Sequence, residues 1–168
     1  MRVSSCAMIL LLVLLSVWPA IGQPQDAVAS LLLACDQAAA SPSDNHRAPD
    51  IAGVHKVDPH NAIAACEAAA AAAPGDPHLM FQLGRAYAAA KAYEAARVQF
   101  SKASDLGYAA AQASLGSFYS SGLGGVAKDD QKALRLFQGA AAQGDGLGTR
   151  ILDCTKYGAD GSSFVMAE

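Results

Sequence analysis

Much of what a catalytic or nucleic-acid-binding chain needs is scarce or missing in this sequence. Aromatic residues make up only 7% of it, and the single tryptophan, Trp18, sits in the first apolar run. There is no block of lysine and arginine, and the formal net charge is −3; mild acidity without a basic stripe argues against a nucleic-acid surface. No CxxC pair occurs, and His46, His55, His60 and His78 show no i, i+4 spacing, so the usual zinc-ligand spacing is missing. The run Gly122-Leu123-Gly124-Gly125 is not followed by Lys-Ser/Thr and no strand pattern precedes it, which excludes a phosphate loop. Adjacent Asp129 and Asp130 open a helical pattern and read as caps, not as paired catalytic carboxylates. Nothing beside Cys154 in the sequence marks it as an activated nucleophile. These gaps point to a chain with no metal, no cofactor and no catalytic constellation.

What is present begins with an export signal. Met1-Arg2 is a short basic start, Met8 to Val17 is almost wholly apolar, and Ala20-Ile21-Gly22 places small residues at both recognition positions. This pattern predicts cleavage between Gly22 and Gln23. The alternative, an uncleaved anchor, would need a longer apolar core than this one, roughly 20 residues. Cys6 lies before the apolar run and leaves with the signal. Losing Arg2 changes the charge from −3 to −4. No second long apolar run follows, so no membrane insertion is expected after cleavage, and the product is expected to be periplasmic or secreted.

Three cysteines then remain, Cys35, Cys66 and Cys154, and an oxidising compartment allows one bridge among them. Cys35, at the end of one alanine-rich helix, and Cys66, in the middle of the next, are the expected pair; three unpaired buried thiols are the alternative. Alanine exceeds a fifth of the chain. It is the best helix former, and its small side chain lets helices approach closely.

The centre of the chain repeats. Leu83-Gly84-Arg85-Ala86-Tyr87 recurs 32 positions later as Leu115-Gly116-Ser117-Phe118-Tyr119, and Ala96, Phe100, Ala103 and Gly107 recur 37 later as Ala133, Phe137, Ala140 and Gly144. The difference of five is a longer, glycine-rich connection inside the second copy. A period of this size predicts an all-α array of helix pairs, each burying its apolar face on its neighbour. Asp58-Pro59 and Asp76-Pro77 each place a capping carboxylate before a proline at the first helical position. Met80, Leu83, Gly84 and Tyr87 follow at i, i+3, i+4 and i+7. A glycine inside both helices, costing about 1 kcal/mol relative to alanine, implies that a neighbouring helix passes too close for a Cβ. Gly107 is expected to stop its helix in a left-handed conformation. After Gly144 the pattern fades, with Asp153 at the glycine place and Lys156 at the tyrosine place, as a polar capping helix should.

These residues resemble a known group. Leu-Gly-x-x-Tyr with Ala-x-x-x-Phe, at Leu83/Gly84/Tyr87 with Ala96/Phe100 and at Leu115/Gly116/Tyr119 with Ala133/Phe137, is similar to the tetratricopeptide pattern. Tyr119, Gly122, Gly124, Val126, Asp129, Lys132-Ala133 and Ala140-Ala141-x-x-Gly144 resemble the Sel-1-like repeat, a relative with a longer glycine-bearing connection. Gly125 is one glycine beyond the tightest form of that motif, and the first copy lacks the connection. Before Asp58 the chain resembles the cysteine-bearing leader of exported bacterial repeat proteins.

The resemblance implies a short α-solenoid that binds another protein in the bacterial envelope without catalysis. It places His78, Phe81, Arg85 and Ala88 of the first copy, and Ala110, Ala113, Ser117 and Ser120 of the second, on the candidate partner face. The expected organisation is a signal at 1–22, an N-terminal helix and loop at 23–57, and a repeat domain at 58–157. Within that domain lie a half-unit at 58–75, repeats at 76–107 and 108–144, and a capping helix at 145–157; a flexible tail fills 158–168. A monomer is expected. Two other readings stay open: an envelope stress or regulatory accessory that binds and controls an enzyme, and a thiol-dependent enzyme or redox protein using Cys154.

Overall fold

In a computed structural model, residues 24–47 and 49–157 are described. The expected signal at 1–22 and tail at 158–168 lie outside them. The described chain holds seven helices and no strand: α1 Pro24–Ala39, α2 Pro59–Ala72, α3 Pro77–Ala89, α4 Tyr93–Asp105, α5 Ala109–Ser121, α6 Asp130–Ala142 and α7 Gly146–Tyr157. None is long and apolar enough to cross a membrane.

Local chemistry sets the helix ends. Asp58 and Asp76 accept the backbone N–H groups of His60 and His78 at 3.1 and 2.9 Å, and Pro59 and Pro77 open α2 and α3. Asp129, not Asp130, caps α6 by accepting the Lys132 N–H at 2.8 Å. Gly107 and Gly144 both stop their helices with φ near +80° (+82° and +80°). Asp145, just after the second of these, is 3% exposed and accepts the Gly148 N–H at 2.7 Å, fixing the start of α7. The sequence reading did not single out this cap.

Each helix packs on the next, and α1 also touches α3 while α5 touches α7. The odd-numbered helices therefore share one side of the array, and the even-numbered helices back them. At the expected half-unit, 58–75, α1 packs along α2. The link is covalent as well: Cys35 and Cys66 are joined, both fully buried. In the chain-entropy picture a closed loop of this span, 31 residues, stabilises by roughly 3–4 kcal/mol.

Three clusters run along the array. The first surrounds the disulfide, with Ala62, Ala69, Leu79 and Leu83. The middle one joins α3, α4 and α5 through Phe81, Phe100, Tyr108 and Phe118, whose rings meet at centroid distances of 5.5 to 5.9 Å. The third joins α5, α6 and α7 through Ala113, Ala133, Phe137 and Ala140.

The repeated glycines now have a physical reason, and it refines the expectation. What crowds them is not a neighbouring helix backbone but a ring: a Cβ on Gly84 would lie 2.6 Å from Phe100, and one on Gly116 would lie 2.7 Å from Phe137. Both rings are buried, at 2% and 6% exposure, so neither can swing into solvent. The extra glycines of the second copy serve a different contact. Gly124 takes φ +68° and its Cα faces the Tyr93 carbonyl oxygen, 2.6 Å from where a Cβ would sit. Arg97 Nε donates to the Gly124 carbonyl at 2.6 Å. The longer connection thus docks back onto α4.

Alanine favours helix by about 1 kcal/mol over glycine, whereas forcing atoms into a filled core costs about 1–3 kcal/mol. Gly84→Ala and Gly116→Ala are each expected to lower the unfolding free energy by up to about 2 kcal/mol in chemical denaturation. A gain in stability for either would contradict ring-on-glycine packing as the reason for the repeated glycine.

Candidate binding face

The side lined by the odd-numbered helices is where a repeat array would present its binding residues. Residues 40–47 and 49–57, between α1 and α2, cover part of it. Ala40 and Val54 close the base of this loop, with the Val54 N–H donating to the Ala40 carbonyl at 2.7 Å. Arg47 ties the loop to itself, donating to the carbonyls of Ile51 (2.8 Å), Pro42 and Asp44 (3.1 Å each). The loop then reaches three odd-numbered elements. Arg85 of α3 donates to the carbonyls of Ala39 and Val54, the latter at 2.7 Å. Asp44 meets Tyr108 at the start of α5, and Asn45 Nδ2 donates to the Gly144 carbonyl at 2.8 Å, just before α7.

Asp44 is the deepest of these contacts. It is fully buried, and it accepts the Tyr108 hydroxyl at 2.6 Å and the His46 backbone N–H at 3.0 Å. His78 stands between two carboxylates: Nε2 lies 2.7 Å from Asp36 of α1, and Nδ1 lies 2.7 Å from the Tyr108 oxygen and 3.3 Å from Asp44. Gln82, also fully buried, donates to Asp36. The His46 ring packs on the Tyr108 ring with centroids 5.1 Å apart. No buried side-chain polar atom among the described residues lacks a partner, as burial of such groups requires.

Electrostatics follow from this geometry. Burial opposes ionisation of Asp44, but hydrogen bonds from His78, Tyr108 and the His46 backbone outweigh it and hold the carboxyl below its ordinary range. Burial also opposes the charge on His78, and Asp44 and Asp36 overcome it, raising the imidazole above its ordinary value. Burial and the Asp44 carboxylate hold the Tyr108 phenol far above its usual range. The junction therefore favours the protonated imidazole, set between two carboxylates.

The structure divides the candidate face read from the sequence. Phe81 is 2% exposed in the middle cluster, so its assignment to a surface is corrected: its ring packs on Phe100 and Tyr108. Ala110 and Ala113 are buried as well. His78 and Arg85 do lie on the odd-helix side, but both are already engaged by α1 and the 40–57 loop. Arg85→Glu would thus break an internal contact before it tested an external one.

Ser117 and Ser120 stand on open clefts. One cleft, about 310 Å³, is lined by Arg85, Ala88, Ser114, Ser117, Phe118 and Leu147, with His55 and Val57 of the loop at its edge. A second, about 420 Å³, shares Ser117 and continues along Ser120, Leu134, Phe137 and Ile151. The Ser114 and Ser117 hydroxyls donate to carbonyls one turn back, at 2.9 and 3.2 Å, which leaves their lone pairs to accept from a ligand.

The remaining signature residues are structural. Tyr87 donates to Glu67 at 2.6 Å, a bond that, with burial, pushes its phenol up to about 12. Tyr119 accepts from Lys132 at 2.7 Å. Cys154 is exposed on α7 and unbonded. His55 and His60 are exposed and do not join His46 and His78; among the described residues no group of three acidic, histidine or cysteine side chains could hold a metal ion.

The raised imidazole sets the expected pH profile. The contribution of His78 is complete below its unfolded value, about 6.5, and is lost as pH rises through its higher folded value. That of Asp44 is complete above its unfolded value, about 4, and is lost as pH falls through its lower folded value. Stability from this junction is therefore greatest between about pH 4 and 6.5. Denaturation at successive pH values is expected to show wild type weakening above neutrality, with His78→Gln weaker at low pH and flatter. Tyr108→Phe, which removes a hydroxyl donor from a buried carboxylate, is expected to cost about 1–3 kcal/mol. A flat wild-type profile and a silent Tyr108→Phe would contradict the clamp.

Compared with known proteins, the chain matches no family model, no curated protein and no solved structure.

Proposed function

We propose that the chain is a non-catalytic interaction scaffold of the bacterial envelope, a short Sel-1-like, tetratricopeptide-related array that holds one protein partner along its odd-helix side. The observation that carries this reading is the pair of clefts that share Ser117 in their lining, formed by helices of both repeats and α7. Serine hydroxyls there alternate with the apolar side chains of Leu134, Leu147 and Ile151, a mixture suited to a protein segment and lacking any paired nucleophile and base. Export is supported by the Cys35–Cys66 disulfide, which suits an oxidising compartment, and by the signal-like first residues. The accessory role, binding and controlling an enzyme, uses the same face and differs only in the partner. The thiol-dependent reading rests on exposed Cys154 alone and has no further support.

A photo-crosslinking residue placed at Ser117, with a control at exposed Lys102 on α4, tests the face in living cells. The expected outcome is one crosslinked protein from position 117 and none from 102. Ser117→Arg, with a crosslinker moved to Ser120, is expected to reduce that product about tenfold or more, as loss of a central contact worth at least 1.4 kcal/mol would. Equal labelling from both positions, or none from either, would overturn the reading.

A further inference from the structure

The loop that covers part of the binding face is built unlike a spacer. Besides the Asn45–Gly144 and Val54–Arg85 bonds, its side chains meet the array at one junction. On the loop these are Asp44 and the His46 ring; from α1 comes Asp36, from α3 Gln82 and Arg85, and from the start of α5 Tyr108. Asp76, the cap of α3, adds negative charge near Tyr108. His78 is the titratable group at the centre, an imidazole, and it links the loop to α1 and α5 together.

We propose that residues 41–47 and 51–54 form a strap latched over the odd-helix face by protonated His78, and that loss of that proton releases the strap and uncovers Arg85 and Tyr108. With the imidazolium present, Nε2–H faces Asp36 while Nδ1–H faces the Tyr108 oxygen, whose own hydrogen goes to Asp44. Each carboxylate has a cation between it and the other. A neutral imidazole carries one hydrogen, so one of these two donations is lost; a bare Nε2 then accepts from Gln82 Nε2, 2.6 Å away, and Asp36 and Asp44 are left without the imidazolium charge between them. Arg85 feels the Asp44 charge, but its N–H groups go to the carbonyls of Ala39 and Val54 and tie neither carboxylate to the strap.

The disulfide makes release local. Cys35 and Cys66 flank the strap and hold α1 to α2 whether the strap is down or up, so opening need not unfold the array. The uncovered face adjoins the 310 Å³ cleft through Arg85. Only this last consequence, a larger face for a partner, rests on the scaffold reading; the latch itself does not.

Hydrogen–deuterium exchange on the purified full chain at pH 6 and pH 8, corrected for the intrinsic pH dependence of exchange, tests the latch without any partner. The strap amides are expected to open at least about fivefold more at pH 8, while amides inside α4 and α6 keep their protection. His78→Gln is expected to exchange fast in the strap at both pH values, and His60→Asn, exposed on α2 and outside the junction, to keep the wild-type response. Equal strap exchange at the two pH values overturns the proposal, as does loss of protection in α4 and α6 together with the strap. A response that survives His78→Gln or vanishes in His60→Asn overturns it too. Failure of crosslinking at Ser117 with a working latch would count only against the scaffold reading.

Discussion

A phenylalanine ring lying flat on a helix that has no side chain at that point sets the spacing of both repeats. Phe100 covers Gly84 and Phe137 covers Gly116 at distances no Cβ would permit. The two helices of each unit can then approach until their alanines meet, and Ala96, Ala103, Ala133 and Ala140 are all buried at the contact. Close approach matters in a chain with so few large apolar residues. Dispersion between well-packed small groups replaces the area that bulky side chains would supply. The aromatic rings then link one unit to the next, since Phe100 also meets Phe81 and Phe118.

With the even-numbered helices fixed behind them, the odd-numbered helices present a continuous side on which the chain has laid one of its own segments. Burying the Asp44 carboxylate there is costly unless its bonds are met. Tyr108, His78 and the His46 backbone meet them. The segment is thus held by a few directional contacts at one end of the face, and the clefts around Ser117 stay open. Packing gives the array its rigidity, and a polar junction decides how much of its face is free.

The elements legible in the sequence are those written in local chemistry. Asp-Pro pairs mark the starts of α2 and α3, glycines mark the ends of α4 and α6, and a 32-residue recurrence marks the unit. The Cys35–Cys66 bridge was legible because both cysteines sit on adjacent alanine-rich helices. The pairing of α1 with α2 was not, since a long aperiodic loop separates them and hides that they belong together. The junction of Asp36, Asp44, His78, Gln82 and Tyr108 was hidden for a related reason. Its members come from four segments, up to 72 positions apart from Asp36 to Tyr108, and each looks ordinary where it stands. Phe81 was misplaced because positional analogy with longer arrays puts that turn of α3 on the surface, whereas here Tyr108 folds over it.

The central claim is that the segment between α1 and α2 lies across the odd-helix side in solution, pinned at Tyr108. Proton–proton contacts measured by NMR in the purified chain at pH 6 test this most directly. Cross-peaks between the rings of His46 and Tyr108, and between the side chain of Ser43 and Gly146, are expected alongside those joining Phe81 to Phe100. Aromatic core contacts present with both loop contacts missing would mean that the face is bare, and the account of the strap and its junction would be wrong.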